Sequence, residues 1–71
     1  MEKAYNITFK AHRRTSLIVD KIPDNIVFAK NKESARELGQ AIVRDYYFEK
    51  YGYTDDYMVK QYTYIITRED I

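Results

Sequence analysis

The longest regular pattern of apolar and polar positions lies in the middle of the chain, between Asn31 and Gly52. Apolar residues recur there at spacings of three and four, which places them on one face of a helix. The pattern therefore predicts an amphipathic helix over about residues 32–51. We expect its inward face to consist of Ala35, Leu38, Ile42 and Tyr46, with Gly39 and Val43 beside them.

The residues at the two ends of this segment predict the same boundaries. Asn31 is a residue type that caps helix N-termini, and Glu33 places negative charge near the positive end of the helix dipole. Lys50 suits the opposite end, and Gly52 stands where a left-handed C-terminal cap is common. The capping and charged residues thus predict the same helix boundaries as the apolar pattern.

Four other segments have the period-two alternation or the composition of strands. They are residues 4–11, 16–22, 26–30 and 57–68. Residues 12–15 are expected to form a hairpin loop, and the Pro-Asp-Asn sequence at 23–25 is expected to form a turn. The order β-β-β-α-β predicts an α+β fold in which an antiparallel sheet carries the helix on one face. The 71 residues contain no linker-like stretch, so we expect one domain, 1–71.

The predicted strands differ in how clearly they show which side faces the core. In the first strand, Tyr5, Ile7 and Phe9 alternate with polar residues and are expected to point inward. The segment 16–22 has apolar residues on both sides, so its orientation stays open. For the last strand we favour the side that carries Met58, Lys60, Tyr62, Tyr64 and Ile66.

Composition limits the classes of function. Lys and Arg number 12 against 11 Asp and Glu, a formal net charge of +1. This is neither the basic balance of a dedicated nucleic-acid binder nor the acidic balance of a DNA mimic. With no cysteine and with His12 as the single histidine, we expect no metal and no cofactor. The chain also lacks an apolar run of membrane-spanning length and a signal-peptide core, so a cytoplasmic location is expected.

No arrangement of residues carries a catalytic signature. Acid–base catalysis needs a nucleophile with its base or paired carboxylates, and His12 has no carboxylate near it in sequence. Asp55 and Asp56 lack the glycine and the spaced carboxylates of a calcium loop. Gly39 and Gly52 are isolated, so there is no phosphate-binding loop. We therefore expect that the protein is not an enzyme.

Eight tyrosines are unusual in so short a chain, and several lie at the end of the predicted helix. Helical steps of 100° place Tyr47, Phe48 and Tyr51 on its flanks and back. Two interpretations stay open: either the loop at 53–56 covers these aromatic side chains, or they form an exposed patch that binds a protein. In the second case the contact residues are Asp45, Tyr47, Glu49, Tyr51, Asp55 and Asp56.

Two other surfaces give alternative functions. A small nucleic-acid-binding module would use the basic hairpin tip formed by Lys10, His12, Arg13 and Arg14, although an ordinary charged hairpin turn is the better explanation of these residues. A self-associating structural subunit, for example a homodimer, would pair through an edge strand at residues 57–68.

Residues 27–35, VFAKNKESA, resemble a pattern found in short phage- and plasmid-encoded proteins. In that pattern a strand ending in alanine leads through a capping residue and an acidic turn into an amphipathic helix. Length and element order are similar to those of phage early proteins that disable host machinery, such as small inhibitors of bacterial RNA polymerase.

This resemblance implies a class of protein and no particular residues, because those inhibitors share no surface motif. The implied class is a non-catalytic inhibitor that occupies a surface of a larger host protein involved in nucleic-acid transactions. RNA polymerase, a histone-like protein or a nuclease complex would be such a target. If the target surface is basic, the acidic and aromatic residues around the helix end are the expected contact set.

Overall fold

A computed structural model describes residues 1–12 and 19–69 of the chain. Its elements are strand β1 (Lys3–Ala11), strand β2 (Asn25–Ala29), helix α1 (Lys32–Tyr51), a 3-10 helix (Met58–Gln61) and strand β3 (Tyr62–Arg68). The strands form one sheet in the order β2-β1-β3, and β1 is antiparallel to both neighbours. Helix α1 packs on one face of the sheet. The predicted α+β class, with an antiparallel sheet and one helix, is confirmed.

Both predicted ends of the helix are confirmed by their caps. The Asn31 side chain accepts a 2.8 Å hydrogen bond from the Ser34 backbone N–H. At the other end, Gly52 adopts a left-handed conformation with φ of 75° and donates its N–H to the Phe48 carbonyl at 2.9 Å. These local bonds satisfy backbone groups that the helix itself leaves unpaired, which is why sequence predicts them well.

The buried face of α1 is rotated by about one residue from the predicted face. It consists of residues spaced four apart, Ala35, Gly39, Val43 and Tyr47, whereas Leu38 is 41% exposed and Ile42 and Tyr46 are half-buried. The cause is the close approach of helix and sheet at Gly39. A Cβ atom there would lie 3.2–3.3 Å from side-chain atoms of Ile7 and Tyr64, so a larger residue at position 39 would have to displace them.

The inward sides of β1 and β3 are as predicted, but the prediction is wrong for Lys60, which precedes β3 and is exposed. Tyr5, Ile7 and Phe9 of β1 are at most 6% exposed. In β3, Tyr62 and Tyr64 are buried and Ile66 is half-buried. These side chains and the buried face of α1 form the core.

The prediction of one strand over residues 57–68 is wrong in its first part, since residues 58–61 form a 3-10 helix. The Val59 N–H bonds to the Asp56 carbonyl and the Lys60 N–H to the Tyr57 carbonyl, so these groups are used locally rather than in a sheet. The tighter winding also buries the consecutive residues Met58 and Val59, which a strand would point to opposite faces.

The prediction of a strand at 16–22 is also wrong for residues 19–22, the part that the structure describes. Residues 16–18 lie outside the described part of the chain, and residues 19–22 form no strand. Ile22 is buried in the core, and the backbone of Asp20 bonds to tyrosine side chains instead of to a neighbouring strand. The described elements therefore follow the order β-β-α-β.

The rotation of the helix face can be tested with two alanine variants. Val43→Ala should lower the free energy of unfolding by about 2 kcal/mol, because it removes buried methyl groups and leaves a cavity. Leu38→Ala should cost less than about 1 kcal/mol, because that side chain already contacts solvent. Urea unfolding of both variants and the wild type measures the difference. A larger loss for Leu38→Ala would contradict the observed helix face.

Candidate protein-binding site

Asp20 joins the segment before β2 to the C-terminal half of α1. Its carboxylate oxygen Oδ2 accepts hydrogen bonds from Tyr46 Oη at 2.9 Å, from Tyr51 Oη at 2.8 Å and from Lys50 Nζ at 2.9 Å. The hydrogen bond from Lys50 has the largest effect on the pKa of Asp20 and lowers it, as do the bonds from Tyr51 and Tyr46. The bond between Asp20 and Lys50 also raises the pKa of Lys50. Both groups therefore stay charged and paired at neutral pH.

The backbone of Asp20 takes part in a second set of hydrogen bonds. Its N–H donates to Tyr47 Oη at 2.9 Å, its carbonyl accepts from Tyr62 Oη at 2.5 Å, and the two hydroxyl oxygens lie 2.6 Å apart. A hydroxyl has one proton to donate, and that of Tyr62 goes to Asp20. Tyr47 must then donate to Tyr62, which closes a ring of three hydrogen bonds, here called the Asp20 ring.

The Asp20 ring removes Tyr47 from the predicted contact set. Tyr47 is 2% exposed and Tyr62 is 4% exposed, so neither presents a surface to a partner. Burial, followed by the bond to Tyr47, raises the pKa of Tyr62 and keeps its hydroxyl protonated. Tyr47 lies in line with Val43 on the rotated helix face, which is why the sequence pattern placed it wrongly.

Tyr47 supports two exposed aromatic rings. The ring of Tyr51 stacks on it at 5.6 Å between centroids, and the ring of Tyr53 stacks on Tyr51 at 5.2 Å. The chain continues from the helix into this stack, since the Tyr53 N–H bonds to the Tyr47 carbonyl at 3.4 Å. The exposed tyrosines are thus held in place by a buried one, which lowers the entropy lost when they bind a partner.

Exposed carboxylates lie on the C-terminal half of α1 and in the loop that follows it. Asp45 and Glu49 are exposed one helical turn apart, with Phe48 between them in sequence. In the loop after α1, Asp55 accepts a hydrogen bond from the Tyr57 N–H at 3.1 Å. We name the whole set the acidic–aromatic surface: Asp45, Phe48, Glu49, Tyr51, Tyr53, Asp55 and Tyr57.

Two shallow clefts mark this surface. Arg44, Asp45, Phe48, Tyr53 and Thr54 line one of them. The other lies on the far side of Tyr53, against Asp55, Tyr57 and Met58.

Of the predicted contact residues, Asp45, Glu49, Tyr51 and Asp55 are exposed, and their role in binding stays a prediction. Asp56 is also exposed but pairs with Arg44 at 2.8 Å, which neutralises its charge. The sequence-based set omitted Phe48, Tyr53 and Tyr57. The density of aromatic residues between 46 and 57 was the available signal for them.

The predicted nucleic-acid-binding tip lies only partly within the described residues. Lys10 is exposed on β1, and His12 follows the strand with its Nε2 atom 3.1 Å from Thr63 Oγ1. Arg13 and Arg14 lie outside the described residues. Binding of nucleic acid through these four residues stays a prediction.

Comparison with protein-family models, with curated proteins and with solved structures gives no match to this chain. Within residues 1–12 and 19–69, no three side chains of His, Cys, Asp or Glu are grouped so that they would hold a metal ion. Over the same residues, no helix combines the length and the apolar character needed to cross a membrane.

The Asp20 ring predicts coupled effects of two conservative variants. Tyr62→Phe should lower the free energy of unfolding by about 1–3 kcal/mol, because the Asp20 carbonyl and the Tyr47 hydroxyl lose their partner. Tyr47→Phe should have a similar effect, and the double variant should lose less than the sum of the two. Tyr51→Phe, a control on the exposed side, should cost about 0.5 kcal/mol or less. Additive losses in urea unfolding would contradict a closed ring.

The buried tyrosines also predict a loss of stability at alkaline pH. Burial raises the pKa of Tyr64 to about 12, against an ordinary pKa of about 10 in the unfolded chain. Because the unfolded chain loses this proton first, the stabilisation is complete below pH about 10 and is lost as pH rises toward the folded-state value. The free energy of unfolding of the Tyr64→Phe variant should therefore fall less steeply than that of the wild type as pH rises above about 10. Equal slopes for variant and wild type in urea unfolding at several alkaline pH values would refute the assignment.

Proposed function

We propose that this protein is a non-catalytic binding protein that covers a basic surface of a larger protein with its acidic–aromatic surface. The observation that carries this proposal is the group of large aromatic side chains exposed at one end of the molecule. Phe48 is 53% exposed, Tyr51 46%, Tyr53 45% and Tyr57 57%. Aromatic residues dominate the energetics of protein interfaces, and exposing four of them together costs solubility.

The charges around these rings favour a basic partner. Arg44 and Lys50 lie beside the aromatic side chains, and each is bonded to a carboxylate, Arg44 to Asp56 and Lys50 to Asp20. Asp45 and Glu49 have no such cation bonded to them in the described residues. The surface thus carries excess negative charge, which attracts a positively charged surface and speeds association.

Basic surfaces of this kind are typical of proteins that bind nucleic acid. The proposed partner is therefore a host protein of nucleic-acid transactions, such as RNA polymerase, a histone-like protein or a nuclease complex. Occupying its basic surface would exclude the phosphate backbone, so the protein would act as a phage-type inhibitor without any chemical step. The support for this is charge complementarity together with a preorganised aromatic surface.

The test is affinity capture from a bacterial lysate, with and without nuclease, followed by binding of the captured protein to purified variants. Asp45→Lys combined with Glu49→Lys should weaken binding at least about tenfold and reduce its dependence on salt, because both remove electrostatic attraction. Phe48→Ser should also weaken binding but leave the salt dependence unchanged, because it removes only apolar contact.

Glu33→Lys combined with Glu37→Lys is the matched control, since it makes the same two charge reversals, also four residues apart, toward the other end of α1. It should bind as the wild type does. Capture that is lost after nuclease treatment would reject a protein target and favour nucleic acid. Equal capture by the wild type and by the surface variants would reject the acidic–aromatic surface as the binding site.

A further inference from the structure

We propose that two copies of this chain associate through β2, which would join their sheets into one antiparallel sheet around a twofold axis at Val27. In the sheet order β2-β1-β3, β2 pairs with β1 on one side, and in the described part of the chain no strand lies on its other side. An open edge of this kind presents backbone groups to another strand. This edge is separate from the acidic–aromatic surface, and the inference does not depend on the proposed function.

The sequence around β2 is complementary to itself when it is read in the opposite direction. In the segment Asp24–Lys30, DNIVFAK, an antiparallel copy centred on Val27 places Asp24 opposite Lys30 and Ile26 opposite Phe28. By the twofold symmetry each of these pairs occurs twice. The result is two apolar pairs flanked by two ion pairs, and a cross-strand pair of either type stabilises a sheet.

The side chains that would form these pairs lie on the same side of the strand. Asp24, Ile26, Phe28 and Lys30 are all exposed, with Ile26 at 53% and Phe28 at 58%. Asp24 is held on this side by hydrogen bonds from Asn6 and Thr8. Natural edge strands are commonly protected by charged residues, but β2 contains none between Asn25 and Ala29.

The helix adds a second feature beside the same edge. Phe28, Ala29 and Leu38 form the apolar part of one shallow groove between β2 and α1, which Glu2, Lys30, Ser34 and Glu37 also line. Leu38 is 41% exposed because the buried face of α1 is rotated away from it. A second copy seated on the edge would shield this groove from solvent. The self-complementary sequence identifies that copy as the occupant, because an unrelated strand would have no reason to match both charges.

Analytical ultracentrifugation over a range of protein concentrations tests the proposal through charge reversal. The wild type should show a reversible monomer–dimer equilibrium. Lys30→Glu sets two carboxylates opposite each other, and Asp24→Lys sets two ammonium groups opposite each other. Each variant alone should dimerise at least about tenfold more weakly. An equimolar mixture of the two should dimerise again, because opposite charges then face each other at both ends of the strand.

Lys60→Glu is the control, since it makes the same charge change on the 3-10 helix and should leave dimerisation unchanged. Circular dichroism verifies that each variant is folded. If Asp24→Lys unfolds through loss of its bonds to Asn6 and Thr8, Ile26→Lys replaces it and should be monomeric. A wild type that is monomeric at all concentrations, variants that dimerise as strongly as the wild type, or a mixture that stays monomeric would overturn the proposal.

Discussion

The Asp20 ring connects three parts of the chain that are distant in sequence: the segment before β2, the end of α1 and the start of β3. A partly buried segment outside helices and strands must find partners for the backbone N–H and carbonyl groups that it removes from water, and two tyrosine hydroxyls supply them for Asp20. Among the described residues, no buried side-chain nitrogen or oxygen lacks a partner. In a domain of 71 residues without cysteine, such bonds hold in place a segment that a disulfide would hold in many other small domains.

The same bonds determine what the surface can offer. Tyr47 is buried by the ring and in turn supports the stacked rings of Tyr51 and Tyr53. Lys50 forms its ion pair with Asp20 rather than with the carboxylates on the outer side of α1. An internal hydrogen-bond network thus produces an external surface that is aromatic, ordered and negatively charged. This is the physical basis of the proposed binding function.

A second constraint is the contact of Gly39 with Ile7 and Tyr64. It sets the rotation of the helix, which places Tyr47 under the aromatic stack and leaves Leu38 beside the open edge of β2. The acidic–aromatic surface and the exposed edge of β2 therefore both follow from one packing arrangement. The acidic–aromatic surface would serve a different partner, whereas the β2 edge is complementary to itself.

The sequence by itself determined the α+β class, the limits of α1 and the inward side of β1, because caps and alternation are set by neighbouring residues. It also indicated the acidic residues and Tyr51 of the candidate site. Only the tertiary structure decided the rotation of α1, the burial of Tyr47 and the absence of a strand at 19–22. Each of these depends on which side chains meet across the core. Gly39, and not Leu38, lies closest to the sheet, and the backbone of Asp20 bonds to the hydroxyls of Tyr47 and Tyr62 instead of to a neighbouring strand.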